Sequence, residues 1–533
     1  MVILLVLPTL TFTVVAVALT SLYWYFRHRL SYWKKKGIPG PEPRFFIGNL
    51  YSQIPWAFQL KEWTKKHGRT YGIYEGVQRV LVTSDPDIVH EPPFYENPRI
   101  RDTIAQTVLG AKGREWWRLH HLTKNVFNDH ALEKLFPIME NSAKVFLSKA
   151  ERVLNMPLYK FPQLEICQEL FVDVLSRLCT GQENSRPFHN GWSRELFNSS
   201  AERSERYAGT RARLAFPALE KYIWKWEETM TGWTYEALPF LQREIEKNVD
   251  RKIEERSQSS QEKEKKKCTD LVDILLETTL TREEIVGYCL MLFLTCAHSG
   301  SNMIACGNCY ASQVPGFQDQ LDKAVRDECS LEYSLQSRTA RQVMGLKYMD
   351  NLFKETQRLM PVMPYLISRR CTESTTIGNG IEMTPGMCVQ IDVLSLHTDP
   401  SIWGEDANEF KPERWDSMVN LHPSAFIPYG LGPRMDPTRR LTEFMLKLAC
   451  AYTTSLFEVE STQEESNLRY FGGEIAYPIM SELKLKIRQY KDKEDLPPFA
   501  KVLEQKKKKS IRFAEDLPTI PMLGGELTIG SAV

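Results

Sequence analysis

The stretch Phe426-Ile-Pro-Tyr-Gly-Leu-Gly-Pro-Arg434-Met-Asp436 constrains this chain more than any other. Pro428, Gly430, Gly432 and Pro433 punctuate a tight hairpin, and the glycines supply backbone conformations that other residues resist. A helix follows. Leu441, Phe444, Met445, Leu448 and Ala449 recur at helical spacing, which predicts a buried helix over Leu441–Leu456. Residue 436 then lies at the mouth of that helix, and its carboxylate points at whatever the loop encloses.

Other motifs stand in a fixed order around it. Glu355 and Arg358 form Glu-x-x-Arg, a spacing that puts carboxylate and guanidinium on one helix face. Lys411-Pro-Glu-Arg-Trp415 follows, Arg369-Arg370-Cys371 lies between them, and Trp116 stands far upstream. In order and spacing these segments resemble the cytochrome P450 family over roughly residues 37–488, most closely its animal microsomal branch.

The resemblance implies a mainly α fold with small β-sheets, a single large haem-thiolate monooxygenase-type body, with haem as cofactor. It implies that Trp116, His120, Arg369, Phe426, Gly430 and Arg434 surround the haem, and that Glu355, Arg358 and Arg414 form a buried triad. The family's iron-ligating cysteine position holds Asp436, and its closing glycine position holds Thr438. An active member would take electrons from NADPH through a reductase and act on lipophilic small molecules.

The substitution at 436 matters because thiolate sulfur pushes electron density onto haem iron and favours O–O cleavage. A carboxylate oxygen is harder and donates less. On the oxygen side, Thr281-Arg-Glu-Glu284 is a capping-box opening for a long apolar helix, Ile285 to about Cys309. By the family's register Ser299 replaces its acid and Gly300 its threonine, with Ser301 or His298 as substitutes for proton transfer; the other reading is small residues filling space in a buried helix. His120 stands where the family has an arginine, so an always-charged partner has become one that titrates. Two readings of different class follow. One is a membrane-anchored pseudoenzyme that has lost thiolate ligation; the other is a working haem enzyme with a non-standard axial ligand at Asp436.

Bulk composition excludes little else. Lys plus Arg (68) balances Asp plus Glu (67), so charge offers nucleic acid no handle. The 11 cysteines, odd in number and irregular in spacing, argue against a disulfide framework and for a reducing compartment. Cys306-Gly-Asn-Cys309 has redox or metal spacing, with core packing as the other reading.

Residues 1–26 carry no charge and end in Tyr23-Trp24-Tyr25-Phe26, with Arg27, Arg29 and Lys34 to Lys36 beyond. This reads as a transmembrane signal anchor over 1–27 with its body in the cytoplasm, on the endoplasmic reticulum membrane. A basic, Pro-rich hinge (28–43), the main body (44–490) and a charged, flexible tail (491–533) complete the organisation. Glu254 to Lys267 reads as a solvated loop. In the tail, Ser510-Ile511-Arg512-Phe513 between basic and acidic runs resembles the short docking motif for protein phosphatase 1. An edge strand presenting Ile511 and Phe513 to two pockets is the physical form of that expectation, and a simple solvated tail is its alternative.

Overall fold

The structure is a computed structural model that describes residues 2–51, 56–90, 94–96, 107–108, 110–154, 163–187, 219, 222–223, 225, 237–259, 270–329, 343–362, 368–378, 380–418, 420–454, 457–461, 469–471, 477–479 and 483–487. Helix α1 spans Val2–Leu30, and α2, Trp56–His67, precedes the hairpin of β1 (Thr70–Glu75) and β2 (Gln78–Thr83). Strands β3 (Phe94–Glu96), β4 (Ser368–Cys371) and β7 (Cys388–Ile391) complete a five-stranded sheet in the order β1-β2-β7-β4-β3. Only the β2–β7 pair is parallel. The smaller ribbons pair β5 (Thr375–Ile377) with β6 (Ile381–Met383), β8 (Phe457–Ser461) with β11 (Leu483–Ile487), and β9 (Arg469–Phe471) with β10 (Tyr477–Ile479).

The sheet is covered on both faces, which is why Tyr71–Tyr74 and Val80–Val82 read as apolar runs rather than alternating ones. Trp56, Leu60 and Trp63 of α2 pack with Tyr71, Ile73 and Val80, while Trp33, Ile88 and Met383 pack with Tyr74 and Leu81. The segment expected to be a hinge is welded to this sheet. Gly72 donates its N–H to Pro39 O at 2.8 Å, and Trp33 Nε1 donates to Ile73 O at 3.0 Å. A Cβ on Gly72 would come within 2.2 Å of the Trp33 ring, so only glycine allows the approach.

The main core lies among α3 (Gly113–Val126), α4 (Asp129–Leu154), α5 (Gln163–Cys179), α6 (Ala237–Ser259), the central helix and α12 (Arg439–Thr454). The central helix runs as α7 (Arg282–Leu292), a π turn at Phe293–Ala297, and α8 (His298–Gln313). Its opening is the expected capping box: Glu284 N–H donates to Thr281 Oγ1, and Thr281 N–H donates to Glu284 Oε2. Between it and the loop stand α9 (Lys347–Leu359), α10 (Val393–His397) and α11 (Arg414–Ser417).

Among the described residues, one helical stretch is long and apolar enough to cross a membrane, Arg282–Gln313, and it is 88% buried within the body. Burial on that scale makes it a core helix. Glu254–Ser259 belongs to α6 rather than to a loop, because Arg256 reaches the carbonyl of Asp273 at 2.6 Å and holds the helix end down. Residues 260–267 of that expected loop, and Ile511 and Phe513 of the tail, lie outside the described residues.

Candidate functional site

The site is assembled from the triad outward. Arg358 donates from Nε and Nη2 to Glu355 at 2.9 and 2.8 Å, and Arg414 Nε reaches Glu355 Oε1 at 2.8 Å. Trp415 Nε1 and the N–H of Lys411 fill the remaining acceptor positions, each at 3.0 Å. Arg358 spends its other donors on the carbonyls of His397, Ala407 and Glu409. Glu355 and Arg358 are wholly buried. Buried charges are tolerable only when every donor and acceptor is used, and here they are. The network pins α9 to the segment that leads into the loop.

That anchoring reaches the loop at two places. Phe426 sits in a box of Trp415 (ring centroids 4.6 Å), His397 (5.2 Å) and Trp403 (6.3 Å), and Ile427 N–H donates to His397 Nε2 at 3.0 Å. Burial pushes His397 down to about 3, so it stays neutral and free to accept. Tyr429 is held by α9 itself: Gln357 Nε2 donates to its hydroxyl at 2.7 Å. In the family's pattern, Phe-x-x-Gly-x-Arg-x-Cys, counting back from Arg434 puts the aromatic at Tyr429 and the glycine at Gly432, not at Phe426 and Gly430. Phe426 packs against the triad region instead. Gly430 and Gly432 both adopt the left-handed backbone, at φ of +81° and +71°. The signal was in the spacing of the loop itself.

Asp436 closes the turn. Its N–H donates to Tyr429 O at 3.0 Å, and its Oδ1 accepts from the N–H and the hydroxyl of Thr438, each at 2.8 Å. This is an aspartate turn at the start of α12, where a carboxylate faces unsatisfied N–H groups and the positive helix end. Burial raises its pKa, and the two Thr438 bonds oppose that rise. Across from it, Cys296 Sγ in the π turn lies 3.8 Å from Thr438 Oγ1 and 3.3 Å from Thr442 Oγ1. Burial first, and then the Asp436 charge, push the Cys296 thiol up to about 11. It is a thiol, and Cys450 is likewise held up at about 11 by burial. Met435 is exposed and faces away.

A second cluster gathers donors. Trp116 is buried, stacks on His120 (centroids 4.8 Å, planes 19° apart), and carries the Arg434 guanidinium 4.4 Å from its ring centroid. Arg434 also donates to the carbonyls of Val108 and Ala111, at 3.3 and 3.1 Å. Trp116 Nε1 and His120 Nδ1 have no hydrogen-bond partner. An indole N–H can only donate, and leaving one buried without an acceptor costs about 1–3 kcal/mol. Burial, then Lys124 and Arg434, hold His120 below the usual imidazole range. Arg369, on β4, is held low by burial.

The central helix places its expected residues differently. A Cβ on Gly300 would meet the Phe171 ring of α5 at 2.2 Å, so this glycine is packing space against α5. Ser301 is wholly buried and its hydroxyl donates to Ala297 O at 2.6 Å. Ser299 is the partly exposed one, donating to Thr295 O at 2.6 Å across the π turn. A π turn adds one residue to a turn and rotates every face after it. Asn302, on α8, is buried with neither side-chain polar atom bonded.

Cys306 and Cys309 are buried and unpaired, and burial raises both thiols. No group of three metal-ligating side chains occurs among the described residues.

Haem, implied by the resemblance, fits these atoms in one half and not in the other. Its carboxylate edge would satisfy Trp116 Nε1 and His120 Nδ1 beside the Arg434 charge. Its iron would find no thiolate at residue 436, where Asp436 has committed one carboxylate oxygen to Thr438.

The profile of the cytochrome P450 family matches residues 38–480. A Caenorhabditis elegans protein named cytochrome P450 CYP13A3 is 29% identical over 534 residues, spanning 89% of this chain and 98% of its own length. CYP13A2 of the same organism is 29% identical over 498 residues, spanning 85% and 92%. The relative named cyp-13B1 is 28% identical over 526 residues, spanning 89% and 99%.

Proposed function

The chain belongs to the cytochrome P450 family, and from that premise we propose that it is a membrane-anchored member whose monooxygenase chemistry has been lost. The observation that carries this reading is Asp436, which stands at the thiolate position with its Oδ1 bound to Thr438. Haem, when bound, supplies the oxygen chemistry of this family, and its reactivity depends on thiolate donation. Without sulfur at residue 436 that donation is absent. What this chain's residues offer the macrocycle's edge is Trp116, His120 and Arg434. The role that remains is binding or scaffolding.

The test is the reduced, CO-bound absorbance spectrum of purified full-length protein. A thiolate-type red-shifted Soret band would overturn the reading; its absence is the expected result.

A second reading keeps the chain an active haem-dependent oxidoreductase on lipophilic small molecules, with Asp436 as axial ligand and electrons from an NADPH-dependent reductase. Ser299 favours it. Its hydroxyl sits on the half-open side of the central helix beside the π turn, where a proton could be passed. Exposed Lys112, Arg114 and Trp117 offer an acidic reductase a cationic, aromatic face.

Residues 1–27 supply the proposed anchor in the endoplasmic reticulum membrane, with the body on the cytoplasmic side. From Phe12 to Tyr25 helix α1 exposes most of its large apolar side chains, among them Val14, Leu19 and Trp24. Such a surface is stable in lipid rather than in water. The tail motif at Ile511 and Phe513 supports a further proposal, docking to protein phosphatase 1. A tail peptide should recover the phosphatase from solution, and Phe513→Ala should abolish that recovery.

A further inference from the structure

The loop and the donor cluster pull in opposite directions, and this contrast supports an inference that rests on the reading above. At residue 436 the sulfur is missing, and one of the two carboxylate oxygens, Oδ1, is already used within the protein by two 2.8 Å bonds from Thr438. Some distance along the loop, at Arg434, the reverse holds. Trp116 is 5% exposed with Nε1 unbonded, His120 Nδ1 is unbonded beside it, and a guanidinium lies over the indole ring. With the indole N–H, His120 in its Nδ1–H tautomer and a positive charge side by side, the acceptor that suits them is an anion such as a carboxylate.

We propose that this cluster binds a tetrapyrrole by its carboxylate edge alone, so that the iron-free macrocycle is held as tightly as haem. Trp116 Nε1 and His120 Nδ1 donate to the carboxylate, Arg434 neutralises it, and residue 436 contributes no bond to a metal. The binding free energy then comes from the edge contacts and from burial of the flat apolar ring, neither of which changes when iron is removed. In a thiolate member the metal bond is part of the grip; here it is dispensable.

The experiment titrates the full-length protein in detergent with haemin, followed by absorbance, and with protoporphyrin IX, followed by fluorescence. Dissociation constants less than about tenfold apart are expected. Haemin tighter by about tenfold or more overturns the proposal, because the iron then contributes to binding. Protoporphyrin IX dimethyl ester, tested on the same unaltered protein, should bind at least about tenfold more weakly than the free acid. Equal binding of ester and acid removes the carboxylate edge from the argument.

Two variants locate the contacts. Trp116→Phe, which keeps the ring and removes the donor, should weaken both ligands by about tenfold. Asp436→Asn, which keeps an oxygen to accept from Thr438, should leave both unchanged. The opposite pattern, with Asp436→Asn abolishing haemin binding alone, overturns the proposal in favour of iron ligation by aspartate. Saturable binding of neither ligand also overturns it. A thiolate-type band in the reduced CO spectrum is a separate result, which sinks the parent reading on its own.

Discussion

The hydroxyl and the backbone N–H of Thr438 both donate to Asp436 Oδ1 at 2.8 Å, so the two positions where the loop departs from its family's pattern are bonded to each other. Thr438 is in turn 3.8 Å from Cys296 Sγ on the central helix. The substitutions form one local structure, in which an aspartate turn just ahead of α12 stands at the ligand position.

Restoring the sulfur alone should therefore be insufficient. Asp436→Cys leaves the Thr438 side chain in place beside Cys296, and removes the acceptor that the Thr438 N–H uses. Asp436→Cys combined with Thr438→Gly should recover a thiolate-type Soret shift in the reduced CO spectrum, while the single variant recovers little. A full shift from the single variant would show that the two positions act independently.

Breaking the buried triad should be costly without touching the loop. Arg358→Met leaves Glu355 buried with two of its five donated hydrogen bonds gone, a loss of about 3–5 kcal/mol. Trp415→Phe removes a single hydrogen bond and should cost about 1 kcal/mol. Denaturant unfolding midpoints measure both, and equal costs would contradict the network described.

Acid should destabilise the protein through His397. Its folded pKa is about 3, below the unfolded value of 6.5. Between those values the unfolded chain binds the proton and the folded chain does not, so stability is present in full above pH 6.5 and falls as pH drops toward 3. His397→Asn keeps an acceptor for Ile427 N–H and has no proton to gain. Its unfolding free energy should slope less with pH across that window, and identical slopes would refute the assignment.

Removing residues 1–27 should release the protein from the membrane fraction. The full chain should resist alkaline carbonate extraction, and the shortened chain should appear in the supernatant with its circular dichroism retained. Retention of the shortened chain in the pellet as a folded protein would place the membrane attachment elsewhere.

Some of this site was legible because its determinants are close in sequence. The capping box at Thr281 and Glu284, the Glu355–Arg358 pair and the helix after the loop each depend on contacts within one or two turns. Other features depended on elements far apart. Phe426 was expected near the haem, yet its box is built by His397, Trp403 and Trp415, from three separate segments. Gly300, at the family's threonine position, is packed against Phe171 as space-filling, and Ser299 beside the π turn is the half-open hydroxyl. No straight helical count contains that turn.

The sequence by itself determined the family, the helical class of the body and the missing sulfur, because residue identity and spacing along the chain are enough for each. Tertiary structure alone decided that the expected hinge segment is fastened to the sheet by Trp33 and Gly72, that Asp436 closes a turn on Thr438 just before α12, and that Trp116 and His120 each keep an unbonded ring nitrogen. Those are statements about which groups meet across the fold. A hydrogen bond acts over about 3 Å in space, whatever the distance along the chain.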